Sequence, residues 1–203
     1  MNFLAHTFLS GDDDDIKIGN LMGDFIKGNL DNEQNSLINE GIKNGIILHR
    51  AIDSFTDVHP IVRKSIQRLQ PKYHKCAGIV VDVFYDHLLA KTFQHYSAIS
   101  LPQYSKAFYA LITARKKDMP VKMDRMINSM VTTDWFSGYA TYQGIEWSLK
   151  GISKRLHFES GIENATEDLK KDYDLYLEEF QVFFPELIVY CQNILAKQKN
   201  AKI

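Results

Sequence analysis

The sequence predicts an all-α fold, a multi-helix bundle built as a single domain over residues 1–203. Eight windows, 19–29, 36–57, 60–70, 73–97, 103–117, 121–131, 139–157 and 164–196, each place apolar residues at i, i+3, i+4 and i+7, the spacing that lines one face of a helix. Pro60, Pro71, Pro102 and Pro120 fall between those windows, where a residue without an amide N–H disturbs a helix least, and Pro185 falls inside or just before the last helix. No stretch sustains the two-residue alternation of a half-buried strand.

Each element has its own justification. Before the first window, Gly11 and the run Asp12 to Asp15 lack the alternating ligands and closing Glu of an EF-hand, so they read as a solvated loop. The window 19–29, containing GNLMGDFIKG, is apolar around a lone acid, Asp24. The window 36–57 contains GIILHRAIDSFTD, which sets His49, Asp53 and Asp57 at intervals of four on one stripe. After the window 60–70, the window 73–97 carries GIVVDVFYDHLLA, the most apolar stretch to hold two acids. The windows 103–117 and 121–131 share the basic segment ARKKDMPVKMDRM, and 139–157 ends near a second basic group, Lys150, Lys154 and Arg155. In 164–196 an apolar stripe of Leu169, Tyr173, Tyr176, Leu177, Phe180 and Phe184 opposes Glu167, Lys170, Lys171 and Glu178, which is the pattern of a packing helix. No internal repeat or Pro/Gly-rich linker divides the chain.

Composition narrows the function classes. With 203 residues, 45% hydrophobic and 24% charged, the chain has enough apolar surface for a real core and is not a disordered composition. A net charge of −1 and a pI near 6.7 give no global attraction to nucleic acid or to an anionic membrane. The opening MNFLAHTFLSG lacks a basic leader region and a small-residue cleavage site, and no run approaches the ~18 apolar residues of a membrane span. A soluble cytoplasmic protein with neither a nucleic-acid nor a membrane partner is expected. Cys76 and Cys191 form no CxxC pattern and read as packing residues.

The acids in apolar company are the exception to this ordinary composition. Leaving a carboxylate in an apolar helix costs several kcal/mol unless a cation or hydrogen-bond donors compensate it. Asp82 and Asp86 project from one helix face about 6 Å apart at Cβ, close enough to address one cation. His87 follows on a face turned by about 100°. His49 and Asp53 repeat the pattern on another helix, and Asp24 and His6 are a third acid and a second histidine with apolar neighbours. Neutral imidazole with hard oxygen ligands suits Mn²⁺, Fe²⁺, Zn²⁺ or Mg²⁺. The absence of any Glu-x-x-His pair argues against a di-iron carboxylate bundle and favours hydrolytic chemistry, in which the ion polarises a phosphoryl oxygen.

Taken in order, MNFLAH at 1–6, GNLMGDFIKG at 19–28, GIILHRAIDSFTD at 45–57 and VDVFYDHLLAKTF at 81–93 resemble the acyl carrier protein phosphodiesterases, or holo-acyl carrier protein hydrolases. The resemblance is dense through residue 93 and looser beyond about residue 100. It implies a variant HD-phosphohydrolase fold, without the adjacent His-Asp doublet, and a Mn²⁺-dependent enzyme, with Mg²⁺ or Fe²⁺ as alternatives. Its substrate would be holo-acyl carrier protein, from whose serine the 4′-phosphopantetheine arm is cleaved to leave apo-protein. The expected metal ligands are Asp24, His49, Asp53, Asp82 and Asp86. The expected catalytic residues are His6, as a ligand or a donor to the phosphate, Asp24, Arg50 and His87, with Lys27 a weaker phosphate contact than Arg50. An acidic protein substrate is expected to dock on Arg115, Lys116, Lys117, Lys122 and Arg125, or on the Lys150, Lys154, Arg155 group. The rival readings are an HD-type nucleotide or alarmone phosphohydrolase and a non-catalytic helical binding module.

Overall fold

A computed structural model describes residues 1–32 and 35–200, so residues 33, 34 and 201–203 of the expected 1–203 domain lie outside the described residues. Among the described residues the chain forms α-helices and short 3-10 turns and no strand. The helices are α1 (Phe3–Phe8), α2 (Asp14–Met22), α3 (Glu40–Val58), α4 (Pro60–Tyr73), α5 (Ala77–Lys91) and α6 (Leu101–Ala114). They continue with α7 (Asp124–Thr132), α8 (Trp135–Tyr139), α9 (Tyr142–Ser153), α10 (Thr166–Lys171) and α11 (Tyr173–Asn200). The all-α, multi-helix expectation is met. No helix among the described residues is long and apolar enough to cross a membrane.

The caps explain the boundaries. Asp13 accepts from the amides of Asp15 and Ile16, so the acidic run is half loop and half helix: it caps α2 and places Asp14 and Asp15 in the first turn, where the helix dipole favours negative charge. The expectation of a wholly looped run is corrected accordingly. His59 caps α4 ahead of Pro60, and Ser100 with Gln103 forms a capping box ahead of α6. Pro71 lies inside α4 rather than between helices, and Pro185 lies inside α11, as one of its two expected places. Both prolines, and the residues four before them, Gln67 and Gln181, face solvent, so water takes the carbonyls that lose their helical partner.

Helix α5 is the central element. All but four of its fifteen residues are buried, and α1, α4, α8, α9 and α11 pack around it. Helix α11 crosses α3, α4 and α5 with an aromatic face: Tyr85 meets Phe180 edge-on at 5.5 Å, Phe84 meets Tyr176 at 5.2 Å, and Phe180 stacks on Phe184 at 4.8 Å. A buried Glu179 on α11 is held by a bidentate pair with Arg68 of α4, at 2.9 and 2.6 Å, and by the Ser65 hydroxyl. Burial pushes the Glu179 carboxyl up, and these donors more than reverse it.

The crossing of α2 and α3 is unusually close. A Cβ on Gly19 would stand 2.0 Å from the Ile42 carbonyl oxygen, and one on Gly45 would stand 2.3 Å from that of Ile16. Backbone therefore meets backbone along this seam, which aligns the end of α2 with the middle of α3.

Candidate metal centre

Three elements bring the imidazoles and carboxylates together. Helix α1 supplies His6, α3 supplies His49, Asp53 and Asp57, and the 3-10 turn Gly23–Phe25 that ends α2 supplies Asp24. His6, His49 and Asp53 each offer one ligand atom, and these atoms lie within 4.8 Å of one another. The Nε2 atoms of His6 and His49 are both 3.2 Å from the Asp53 carboxylate, and the two rings stack with centroids 4.1 Å apart. Asp24 stands 3.6 Å from His49 Nε2 at the more exposed edge.

Asn20 on α2 sets both rings. Its Oδ1 lies 2.9 Å from His6 Nδ1, while its Nδ2 donates to the His6 carbonyl oxygen at 2.7 Å and to Ser10 Oγ at 2.9 Å. Its backbone carbonyl lies 2.9 Å from His49 Nδ1. An oxygen acceptor at each Nδ1 fixes a proton there and turns each Nε2 toward the cluster, as the atom that would bind a cation. Gly23 makes room for this arrangement, since a Cβ on it would fall 2.1 Å from His49 Cγ. Gly23→Ala is therefore expected to displace the His49 ring and weaken metal binding by about 10- to 100-fold. Calorimetric titration with Mn²⁺ measures it, and an unchanged affinity would show that the ring position does not govern binding.

The electrostatics match the geometry. Burial pulls the His49 imidazole down, but Asp24 and Asp53 overcome it and raise it to about 9. Burial also pulls His6 down, and there it wins over the Asp53 contact, so the two stacked rings are not both charged. Burial pushes Asp53 up, yet hydrogen bonds from His49 and His6 hold its carboxyl well below the usual range. Asp24 is lowered by the same His49. Asp57 is raised, by burial first and then by facing Asp82 and Asp53, which records a concentration of negative charge at the pocket. The pocket holds about 520 Å³ and is lined by His6, Asp24, His49, Asp53, Asp57 and Asp82, and also by Arg155. Two Nε2 atoms and hard carboxylate oxygens in an open pocket fit a divalent cation, which would displace the proton that Asp24 and Asp53 hold on His49.

Other expected residues stand elsewhere. Asp82 lines the pocket, where its Oδ1 accepts from the Met1 α-amino group at 2.7 Å. Asp86, one turn on, does not face the cluster. Its oxygens accept the amides of Asn2 at 3.2 Å, Leu4 at 2.8 Å and Ala5 at 3.3 Å, capping the start of α1 from another helix. Burial pushes its carboxyl up to about 7, although those amides pull the other way. His87 lies on the side of α5 that faces α8 and α9, with Nδ1 2.7 Å from the Tyr139 carbonyl oxygen and its ring stacked on Tyr142. Burial lowers its imidazole, and it is not part of the pocket. Arg50 donates to the carbonyl oxygens of Ile26 and Gly28 at 3.1 and 2.9 Å, so it fastens the segment after Asp24 rather than pointing at the cluster.

The basic segment is also partly committed. Arg115 pairs with Asp118 and with Asp15, the latter at 2.7 Å, and Lys122 donates to the Phe25 carbonyl oxygen at 2.6 Å. Lys116 lies 3.4 Å from Asp124, and Lys117 and Arg125 are exposed.

Sequence reasoning missed Asn20 and the place of Arg155. Asn20 carried a signal, a polar residue flanked by glycine and leucine in an apolar window, whereas nothing local to Arg155 distinguishes a pocket wall from a solvated patch.

Residues 1–187 match the family described as acyl carrier protein phosphodiesterase. Among curated relatives, the chain is similar to the acyl carrier protein phosphodiesterase of Enterobacter sp. (strain 638), with 27% identity covering 95% of this chain and 98% of that protein. It is similar also to that of Photorhabdus laumondii, with 28% identity over 95% and 96% of the two chains, and to that of Yersinia enterocolitica, with 27% over 95% and 98%. No solved structure matches at a significant level.

Proposed function

Because the chain belongs to the acyl carrier protein phosphodiesterase family, we propose that it hydrolyses the phosphodiester joining 4′-phosphopantetheine to a serine of holo-acyl carrier protein, giving apo-protein and the free arm. The observation that carries this reading is the His6, His49, Asp53 cluster, with both imidazoles fixed at Nδ1 and both Nε2 atoms turned to the Asp53 carboxylate. Residues 1–203 act as one helical domain, a variant of the HD-phosphohydrolase arrangement, and the metal is Mn²⁺.

His6, His49 and Asp53 would hold a divalent cation, which when bound would offset charge on the phosphoryl oxygens and lower the pKa of water. Asp57 and Asp82 add negative charge that raises cation affinity. Asp24 is ionised because His49 holds its carboxyl down, and it sits at the open edge, where it takes the proton of the attacking water. The Arg155 guanidinium, which lines the same pocket, meets the non-bridging oxygens. A bond forms from the water oxygen to phosphorus, the bond from phosphorus to the seryl oxygen breaks, and the seryl oxygen takes up a proton. The acidic protein substrate docks on the 115–125 segment, chiefly through Lys117 and Arg125, since Arg115 and Lys122 serve as internal ties.

The test is incubation with holo-acyl carrier protein and Mn²⁺, read by mass spectrometry. Loss of the arm is expected, together with abolition by a chelator and recovery on adding back Mn²⁺. A metal-loaded protein that leaves the arm in place but cleaves nucleotides would transfer the assignment to the nucleotide phosphohydrolases.

A further inference from the structure

A second pocket adjoins the first. It holds about 380 Å³ between α7, α8 and α9, within the ~300–1,000 Å³ span of small-molecule sites. The two pockets share Asn2, Phe3, Ile152 and Arg155, so they adjoin across these residues, with Arg155 lining both. We infer that this groove binds the pantetheine arm of the substrate, running from the phosphate at Arg155 toward Trp135 and Trp147. The inference rests on the proposed phosphodiesterase reading and goes beyond it by naming the residues that recognise the leaving arm.

The lining fits an extended, amide-bearing chain. Trp135 and Trp147 supply flat apolar walls for methylene and methyl groups, and the Thr133 and Ser148 hydroxyls, which donate to the Ser129 and Gly144 carbonyl oxygens at 2.8 and 2.9 Å, keep lone pairs to accept an amide N–H. Trp147 is 64% exposed, a large apolar surface left open beside a cavity rather than packed away. Three glycines shape the channel. A Cβ on Gly144 would stand 2.1 Å from the Gly138 carbonyl oxygen, so α8 and α9 meet backbone to backbone beneath the groove. Gly138 and Gly151 instead face open space, with nothing within 4 Å of an added Cβ. Gly151, in the last turn of α9, leaves that stretch of the groove clear of a side chain.

The chain's two tryptophans both line the groove, so intrinsic fluorescence reports on its occupancy directly. The Mn²⁺-loaded protein is titrated with free 4′-phosphopantetheine and, separately, with inorganic phosphate. The expected result is a change of tryptophan emission with 4′-phosphopantetheine and an affinity at least about tenfold tighter than that for phosphate. Gly151→Leu fills the groove from a solvent-facing helix position and is expected to erase that advantage. Trp147→Ala, at an exposed side chain, is expected to reduce it, and thermal melts confirm that both variants fold. A wild-type protein with no emission change at saturating 4′-phosphopantetheine, or a Gly151→Leu protein that keeps the tenfold advantage, overturns the inference. Arm release from the holo-protein is scored separately by mass spectrometry. Release without a fluorescence response rejects the groove alone, and no release from the metal-loaded protein rejects the underlying reading and the groove with it.

Discussion

Replacing Asp53 by alanine is expected to lower metal-dependent hydrolysis by about 10³-fold or more while leaving the fold intact, because a single carboxylate joins both imidazoles. Its oxygens stand 3.2 Å from each Nε2, and its side chain is 42% exposed, so its removal opens no cavity in the core. Steady-state kinetics at saturating Mn²⁺, with metal content measured on the same preparation, checks it. Full activity with full metal content would remove Asp53 from the centre.

The metal-stripped protein offers an independent check through pH. The His49 imidazole is raised in the folded state from 6.5 to about 9, chiefly because the Asp24 and Asp53 contacts overcome its burial. A raised basic group stabilises the fold fully below 6.5, and that contribution is lost as the pH rises through about 9. Removing one of the two acids should flatten this pH dependence, so denaturant midpoints across that interval should fall less in Asp53→Ala than in the parent.

The second large effect is on stability, at Asp86. Asp86→Ala leaves three amide donors at the start of α1 without an acceptor, in a place its carboxyl fills with no solvent exposure. Unsatisfied buried donors cost about 1–3 kcal/mol each, less any relaxation of α1, so a loss of about 3 kcal/mol or more is expected. For a chain of this size that corresponds to a fall in Tm of about 6–12 °C. Asp86→Asn keeps an oxygen for two of the amides and should lose less. Because α1 carries His6, metal affinity should fall in Asp86→Ala while the stoichiometry at saturating metal is preserved. If Asp86 were a direct ligand, the alanine variant would instead melt near the parent and lose bound metal outright.

The long helices were legible because apolar period and proline placement are local properties. Windows such as 60–70 and 73–97 anticipate α4 and α5 to within a few residues, whereas α1, only six residues long, is too short for a period to show. Pro71 misled because its acceptability inside a helix depends on whether the turn four residues back faces water, which the tertiary structure decides. The 164–196 window hid a break at Asp172, which separates α10 from α11 without a glycine or proline to mark it. In the pocket, the i, i+4 pair His49 and Asp53 was readable from spacing alone. The equivalent pair Asp82 and Asp86 was not, because adjacent turns of α5 meet different neighbours: one faces the pocket and the other faces the backbone amides of α1. Arg50 and Arg115 illustrate the same limit, since a guanidinium suited to phosphate is equally suited to carbonyl and carboxylate groups inside the protein.

The glycine seam between α2 and α3 makes tolerance to substitution uneven across the molecule. Elsewhere in the interior, bulky aromatic side chains can repack around a change and absorb it at some loss of stability. Along the seam the contacting atoms are main chain, which has no rotamers to offer, so even one added methyl group is transmitted as a rigid shift of Asn20 relative to the ring it orients. Variation in this lineage should therefore accumulate more readily in the α11 core than at 19 and 45, although neither of those two positions carries a reactive group.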